Sequence, residues 1–254
     1  MLELQHVSVG YSTPILQDIT FAAEPGKLTA LVGRNGCGKT TLLRAMARQQ
    51  PLQTGSILLD GRSLQRYERK ELARSLSFLP QVRTTPEITV RSLVEHGRFP
   101  YLGFSRRMAP QDHAAVALAM EQAGVSAWSE TYLRELSGGQ RQRVYLAMAL
   151  AQGGQTLLLD EPMTYLDEAA QFRLLELLRS LAAQGKTIVL VLHDLAQALQ
   201  YCDAIAVLHQ EHLAAFDAPA ALYAQRTLDD VFGVTLCQAN DGTYYTRAAV
   251  LPAK

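Results

Sequence analysis

The chain has 254 residues, 48% of them hydrophobic, which is material for the core of one large domain or two small ones. Its 24 basic and 24 acidic residues cancel to a formal net charge of zero, so the bulk balance excludes a chain that grips a nucleic-acid backbone through overall charge. No apolar run approaches the roughly 18 to 20 residues that span a bilayer, Met1-Leu2-Glu3-Leu4-Gln5 has no basic region leading an apolar stretch, and Cys37, Cys202 and Cys237 are too scattered for a disulfide framework or zinc site, so a cytoplasmic chain is expected.

Leu2 to Val9 alternates imperfectly and Ile15 to Phe21 repeats the pattern, which predicts antiparallel strands joined through Gly10-Tyr11-Ser12-Thr13-Pro14. Tyr11 in that loop is either an exposed aromatic anchor or simple edge packing. The apolar run Leu28-Thr29-Ala30-Leu31-Val32 then leads into Gly33-Arg34-Asn35-Gly36-Cys37-Gly38-Lys39-Thr40-Thr41 and a segment with helical spacing through Leu42, Leu43, Ala45 and Met46. This is G-x-x-x-x-G-K-[ST] in its strand-loop-helix setting, the phosphate-binding P-loop. Its glycines let successive N–H groups turn toward a polyphosphate, Lys39 reaches the β- and γ-phosphates, and the Thr40 hydroxyl suits Mg²⁺.

Gly55 to Gly61 and Leu76 to Leu79 read as short strands, the second broken by Pro80 and followed by Gln81. Helical spacing takes over from Val90 to Gly97 and from Ala114 to Ala123, marking an inserted helical region. Between these helices, residues 98–107 mix aromatics with arginines, as a surface loop or a partner-binding loop does. Leu136-Ser137-Gly138-Gly139-Gln140 opens a further helix that ends at Gly153-Gly154. Ser137 can cap that helix, and the glycines leave a second helix start open to an anion; a well-capped helix alone is the plainer alternative.

Thr156 to Leu159 is wholly apolar, as in a strand buried on both faces, and it terminates in Asp160-Glu161-Pro162. Paired carboxylates at that depth are costly unless positive charge lies opposite, and a P-loop with Mg²⁺ supplies it. Asp160 then suits the metal shell and Glu161 the polarising of a water for attack on the γ-phosphate, the alternative being a solvated acidic turn. An amphipathic helix runs from Asp167 to Gly185, and Thr187 to Leu192 forms another buried strand ending at His193-Asp194; His193 is either a structural histidine or a ligand contact, since ligands collect at such strand ends in an open α/β sheet. Strands at 204–208 and 212–216, a partly helical stretch at 219–232 and a hairpin around Asn240-Asp241-Gly242 complete the chain.

In this order the motifs resemble the nucleotide-binding subunits of ATP-binding cassette (ABC) transporters over most of the chain, with Leu136 to Gln140 ahead of Asp160-Glu161-Pro162 as the most specific feature. The resemblance implies an α/β fold, a P-loop NTPase (RecA-like) core with an antiparallel β subdomain at residues 1–81 and 152–235, an inserted α-helical subdomain at 82–151 and a C-terminal extension at 236–254. It implies an ATPase with Glu161 as catalytic base, His193 at the γ-phosphate, Gln81 sensing Mg²⁺ and water, and Lys39 on the phosphates. ATP is expected on Tyr11, Gly33, Asn35, Gly36, Cys37, Gly38, Lys39, Thr40 and Thr41, and Mg²⁺ on Thr40, Gln81 and Asp160. Ser137, Gly138, Gly139 and Gln140, with Asp167 in the D-loop, close over ATP held by a second copy in the family's head-to-tail homodimer.

Val94 to Tyr101 and the aromatic Tyr165 are similar to ATPases that import ferric siderophores, haem or cobalamin. The implied partners are integral-membrane permease subunits and, indirectly, a substrate-binding protein, with no nucleic acid; the implied location is the cytoplasmic face of the inner membrane. An iron-sulfur assembly scaffold is the alternative from another class. Cys37 stands where many relatives carry Ser, either with a thiol pKa lowered by the helix N-terminus or as inert packing.

Overall fold

The computed structural model describes residues 1–81, 85–103 and 107–248. In chain order its elements are β1 (Leu2–Gly10), β2 (Pro14–Ala23), β3 (Leu28–Gly33), α1 (Lys39–Met46), β4 (Leu52–Leu59), β5 (Arg62–Ser63), α2 (Arg69–Ser75), β6 (Leu76–Leu79), α3 (Val90–His96), α4 (Pro110–Gln122) and α5 (Gly138–Gln152). The second half continues with β7 (Thr156–Leu159), α6 (Glu168–Ala183), β8 (Thr187–Val191), α7 (Leu195–Tyr201), β9 (Ala204–His209), β10 (His212–Asp217), α8 (Pro219–Ala224), α9 (Thr227–Phe232), β11 (Val234–Gln238) and β12 (Tyr244–Ala248).

Two sheets face each other. An antiparallel sheet runs β2-β1-β4-β5, and a six-stranded sheet runs β10-β9-β3-β8-β7-β6, parallel except for β10 at its edge. Period-2 alternation divides the apolar runs between the two faces of the larger sheet. Leu31, Leu158, Val189 and Val191 pack toward the antiparallel sheet, while Ala30, Val32, Leu157, Leu159, Ile188 and Leu190 join the core beneath the helices. Strands β3, β7 and β8 are therefore buried along their whole length. From β3 the chain crosses to the far strand β6, returns through β7 and β8, and then moves to β9 on the other side. That reversal of strand order makes the C-terminal end of β3 the place where an open α/β sheet binds ligands.

Three local differences from the sequence reading have physical causes. Strand β4 begins three residues before Gly55 and passes through it at φ +81, where a Cβ would lie 2.2 Å from the His6 carbonyl oxygen. Helix α2 is unforeseen; its start is held by the Glu68 N–H donating to Glu71 Oε2 at 3.3 Å, a cap written in acidic residues with no Ser or Thr. Helix α4 starts at Pro110, ahead of its apolar spacing, where a missing N–H costs nothing. At the C-terminus, β11 and β12 form the hairpin, with Leu236 buried and Tyr244 edge-on to Tyr223 at 5.1 Å.

The surface-loop reading of residues 98–107 needs correction at Arg98 and Leu102, which are both buried, and Phe104, Ser105 and Arg106 lie outside the described residues. Arg98 is buried: Nε donates to Asp112 Oδ1 at 2.9 Å, a terminal nitrogen donates to the Ala151 carbonyl at 2.8 Å, and the guanidinium lies over the Tyr101 ring at 3.6 Å. It ties α3, α4 and α5 together, whereas Phe99 beside it is exposed. Burial alone would push the Asp112 carboxyl up; the Ala109 N–H and the Arg98 guanidinium outweigh it and hold it below the usual carboxylate range. A carboxyl depressed in the fold stabilises above its unfolded pKa and loses that contribution as pH falls through its folded one. Asp112→Ala should accordingly cost ~3 kcal/mol at neutral pH in urea unfolding, since it strands a buried arginine, and the gap to wild type should narrow under acid.

Candidate functional site

The P-loop leaves the end of β3 and turns directly into α1. Gly36 and Gly38 have φ +79 and +99, and a Cβ on Gly38 would fall 2.7 Å from Ile15 Cγ2, so the turn accepts no side chain there. Lys39 is 6% exposed, and its Nζ donates to the carbonyls of Gly33 at 2.8 Å and Arg34 at 3.1 Å. Among the described residues no carboxylate pairs with it, so its charge remains to attract an anion. Cys37 corrects the low-pKa alternative: burial pushes the thiol up, and the nearby Lys39 only partly offsets this. It is a small packed residue, with Sγ facing Gly33.

β7 delivers Asp160 and Glu161 opposite this loop. Asp160 is fully buried; the Thr40 hydroxyl donates to its Oδ1 at 3.1 Å, and Oδ2 has no hydrogen-bond partner among the described residues. Burial raises its carboxyl, the Thr40 bond lowers it and the Glu161 charge raises it again. An orphaned, buried carboxylate oxygen beside a threonine hydroxyl suits a hard cation that takes its other ligands from water and phosphate, as Mg²⁺ does. No cluster of three His, Cys, Asp or Glu occurs among the described residues.

Glu161 sits at the mouth, with both carboxylate oxygens engaged. His193 Nε2 is 2.7 Å from Oε1, and Gln81 Nε2 donates to Oε2 at 2.6 Å. His193 follows β8 and Gln81 follows β6, so neighbouring strands of one sheet converge on the carboxylate from β7. Lys39, Thr40, Thr41, Gln81, Glu161 and His193 share a cleft of about 400 Å³ together with Asn35, Gly36 and Gly38. Ile15, which the sequence reading missed, forms part of its wall; the glycine at 38 is the only sequence sign that something packs there. Tyr11 is 65% exposed on the β1–β2 turn and does not line this cleft.

The second helix start lies elsewhere on the chain. Ser137 Oγ accepts from the Gln140 N–H at 3.3 Å and Gln140 Oε1 accepts from the Ser137 N–H at 2.8 Å, a reciprocal cap on α5. Asp167 caps α6 by accepting from the Ala170 N–H at 2.7 Å. Ser137, Gly138, Gly139, Gln140 and Asp167 line a separate cleft of about 470 Å³ that shares no residue with the first. The two clefts are therefore separate within one chain.

The ABC transporter family pattern matches residues 16–164. The chain is 40% identical to the achromobactin transport ATP-binding protein of Dickeya dadantii, over 95% of this chain and 91% of the relative, and 39% identical to the ferric enterobactin transport ATP-binding protein of Escherichia coli, over 91% and 86%. Among solved structures it resembles a metal-chelate type ABC transporter in an inward-facing conformation, with TM-score 0.81 and 25% identity over 97% of this chain and 95% of the other. A dimeric ABC cassette bound to ADP and phosphate matches with TM-score 0.77 and 25% identity, over 86% and 99%. With its P-loop, its buried Asp160 and its Leu136 to Gln140 segment all in this setting, the chain belongs to the ABC transporter family as an ATP-binding subunit and ATPase.

Proposed function

We propose that this chain powers the import of a ferric siderophore. It works as a head-to-tail homodimer on the cytoplasmic face of the inner membrane, coupled to integral-membrane permease subunits and served by a substrate-binding protein. The separation of the P-loop cleft from the Ser137–Gln140 cleft carries the dimer: neither half completes a site within one chain. The names of the achromobactin and enterobactin relatives favour siderophore cargo over an iron-sulfur scaffold. No helix among the described residues is long and apolar enough to cross a membrane, so passage of cargo falls to partner proteins.

ATP phosphates rest on the N–H groups of Gly36, Gly38, Lys39, Thr40 and Thr41 and on Lys39 Nζ, with Asn35 and Cys37 completing the loop and Tyr11 offering a face to adenine. Thr40, Asp160 and Gln81 would hold Mg²⁺, which would supply positive charge to offset that of the phosphates. Glu161 accepts a proton from water as the water oxygen bonds to the γ-phosphorus, and the bond to the β-phosphate oxygen breaks to release ADP. His193, now on Glu161, lines the same cleft and would meet the terminal phosphate there.

Lys39→Ala should weaken ATP binding about 10- to 100-fold, measured by titration with a fluorescent analogue, because one charge-assisted contact is lost. Cargo is tested by deleting the chain and following uptake of radiolabelled ferric siderophores, haem and cobalamin. Loss confined to a ferric siderophore is expected; unimpaired uptake of all three, or purification in a soluble complex with no membrane protein, overturns the proposal.

A further inference from the structure

Gln142 occupies the second turn of α5 and is 6% exposed, in a stretch whose neighbours Val144, Tyr145, Leu146 and Ala147 are buried. An amide at such a depth is costly unless it is bonded. Its Nε2 donates to the Pro162 carbonyl at 2.7 Å and reaches toward the Glu161 carbonyl at 3.5 Å. Those carbonyls belong to the residue bearing the carboxylate in the cleft and the residue after it.

The backbone they belong to is strained. Glu161 has φ +48, a left-handed conformation that costs a side-chain-bearing residue about 1 kcal/mol and survives only where its surroundings impose it. Pro162 has no N–H with which to brace the turn. From the far side, the Thr164 hydroxyl donates to the Glu161 carbonyl at 3.2 Å and the Thr164 N–H approaches it at 3.4 Å. Helix α5 also leans on the same loop one turn earlier: a Cβ on Gly139 would fall 2.8 Å from the Tyr165 carbonyl oxygen, and Tyr165 is itself at φ +69. The helix that opens with Ser137 therefore grips residues 161–165 at two points.

We infer that Gln142 is a positioning residue for ATP hydrolysis, holding the Glu161-Pro162 backbone in the left-handed turn that aims the Glu161 carboxylate into the P-loop cleft. This rests on Glu161 being the base. Because Gln142 acts through Glu161 and touches neither Lys39 nor Thr40, it bears on turnover and not on ATP affinity.

The test is Gln142→Met in the full chain, an apolar replacement of similar length that removes the donor. Turnover should fall about 10- to 100-fold while the ATP dissociation constant stays within about twofold, and in a Glu161→Gln background single-turnover hydrolysis should drop no further. Turnover within about twofold of wild type, a matching loss of ATP affinity, or an added loss in the double variant each overturns the inference. Gln142→Glu decides the matter if the Met variant does not fold. Burial at this position pushes a carboxyl above its usual range and the group donates only when protonated, so its turnover relative to wild type should decline from about pH 6 to about pH 9, and a flat ratio counts against Gln142. Unimpaired hydrolysis by Glu161→Gln alone would remove the base on which the inference rests, a failure separate from an inert Gln142.

Discussion

Glu161→Gln should reduce ATP turnover by ~10³-fold while leaving ATP affinity within about twofold. The substitution keeps the side chain's shape and one oxygen to accept from Gln81 or His193, which now hold the carboxylate at 2.6 and 2.7 Å. What it removes is the ability to take a proton from water. Nothing that grips the phosphates changes, because Lys39 is anchored on the Gly33 and Arg34 carbonyls and Thr40 on Asp160. Binding without hydrolysis should therefore accumulate an ATP-bound dimer, read by size exclusion beside phosphate release. Phosphate release at the wild-type rate would falsify the assignment of Glu161 as the base and move the role to another group in the cleft.

How much of this was legible in the sequence depended on how local each cause is. The P-loop needs three glycines, a lysine and a threonine within nine residues, and Gly38 at φ +99 against Ile15 shows why the spacing tolerates no substitute. Asp160, Glu161 and His193 could be placed because the apolar runs before them fix strands whose ends are where ligands gather. Arg98 could not be placed, since its burial depends on Asp112, fourteen residues along the chain, and on the Ala151 carbonyl at the end of α5. Cys37 posed a competition between a helix N-terminus, which lowers a thiol pKa, and burial, which raises it; only the packing decides that burial wins. A glutamine inside a helix reads as a solvent-facing residue, so Gln142 gave no sign that it reaches the Pro162 carbonyl. Ser137 is the opposite case, because capping and anion binding ask for the same residue and the sequence supports both.

Ser137→Arg separates those two roles. As a cap, Ser137 contributes one bond, from the Gln140 N–H to its hydroxyl at 3.3 Å, and losing such a cap costs about 1 kcal/mol. The reciprocal bond, from the Ser137 N–H to Gln140 Oε1, uses backbone and survives the change. A cap alone therefore predicts a small loss of stability and normal turnover. If Ser137 closes over ATP held by a second copy, a long cationic side chain fills the cleft that the partner must enter. Turnover should then fall by ~10³-fold, because chemistry depends on bringing both halves of the site together. ATP affinity of the single chain should stay within about twofold, since the P-loop cleft shares no residue with this one. In the Glu161→Gln background the ATP-dependent dimer should disappear from size exclusion, whereas Ser137→Ala, which removes the hydroxyl without adding bulk, should retain part of it. A dimer that persists with wild-type turnover in Ser137→Arg would reduce Ser137 to a helix cap and leave the second cleft without a nucleotide.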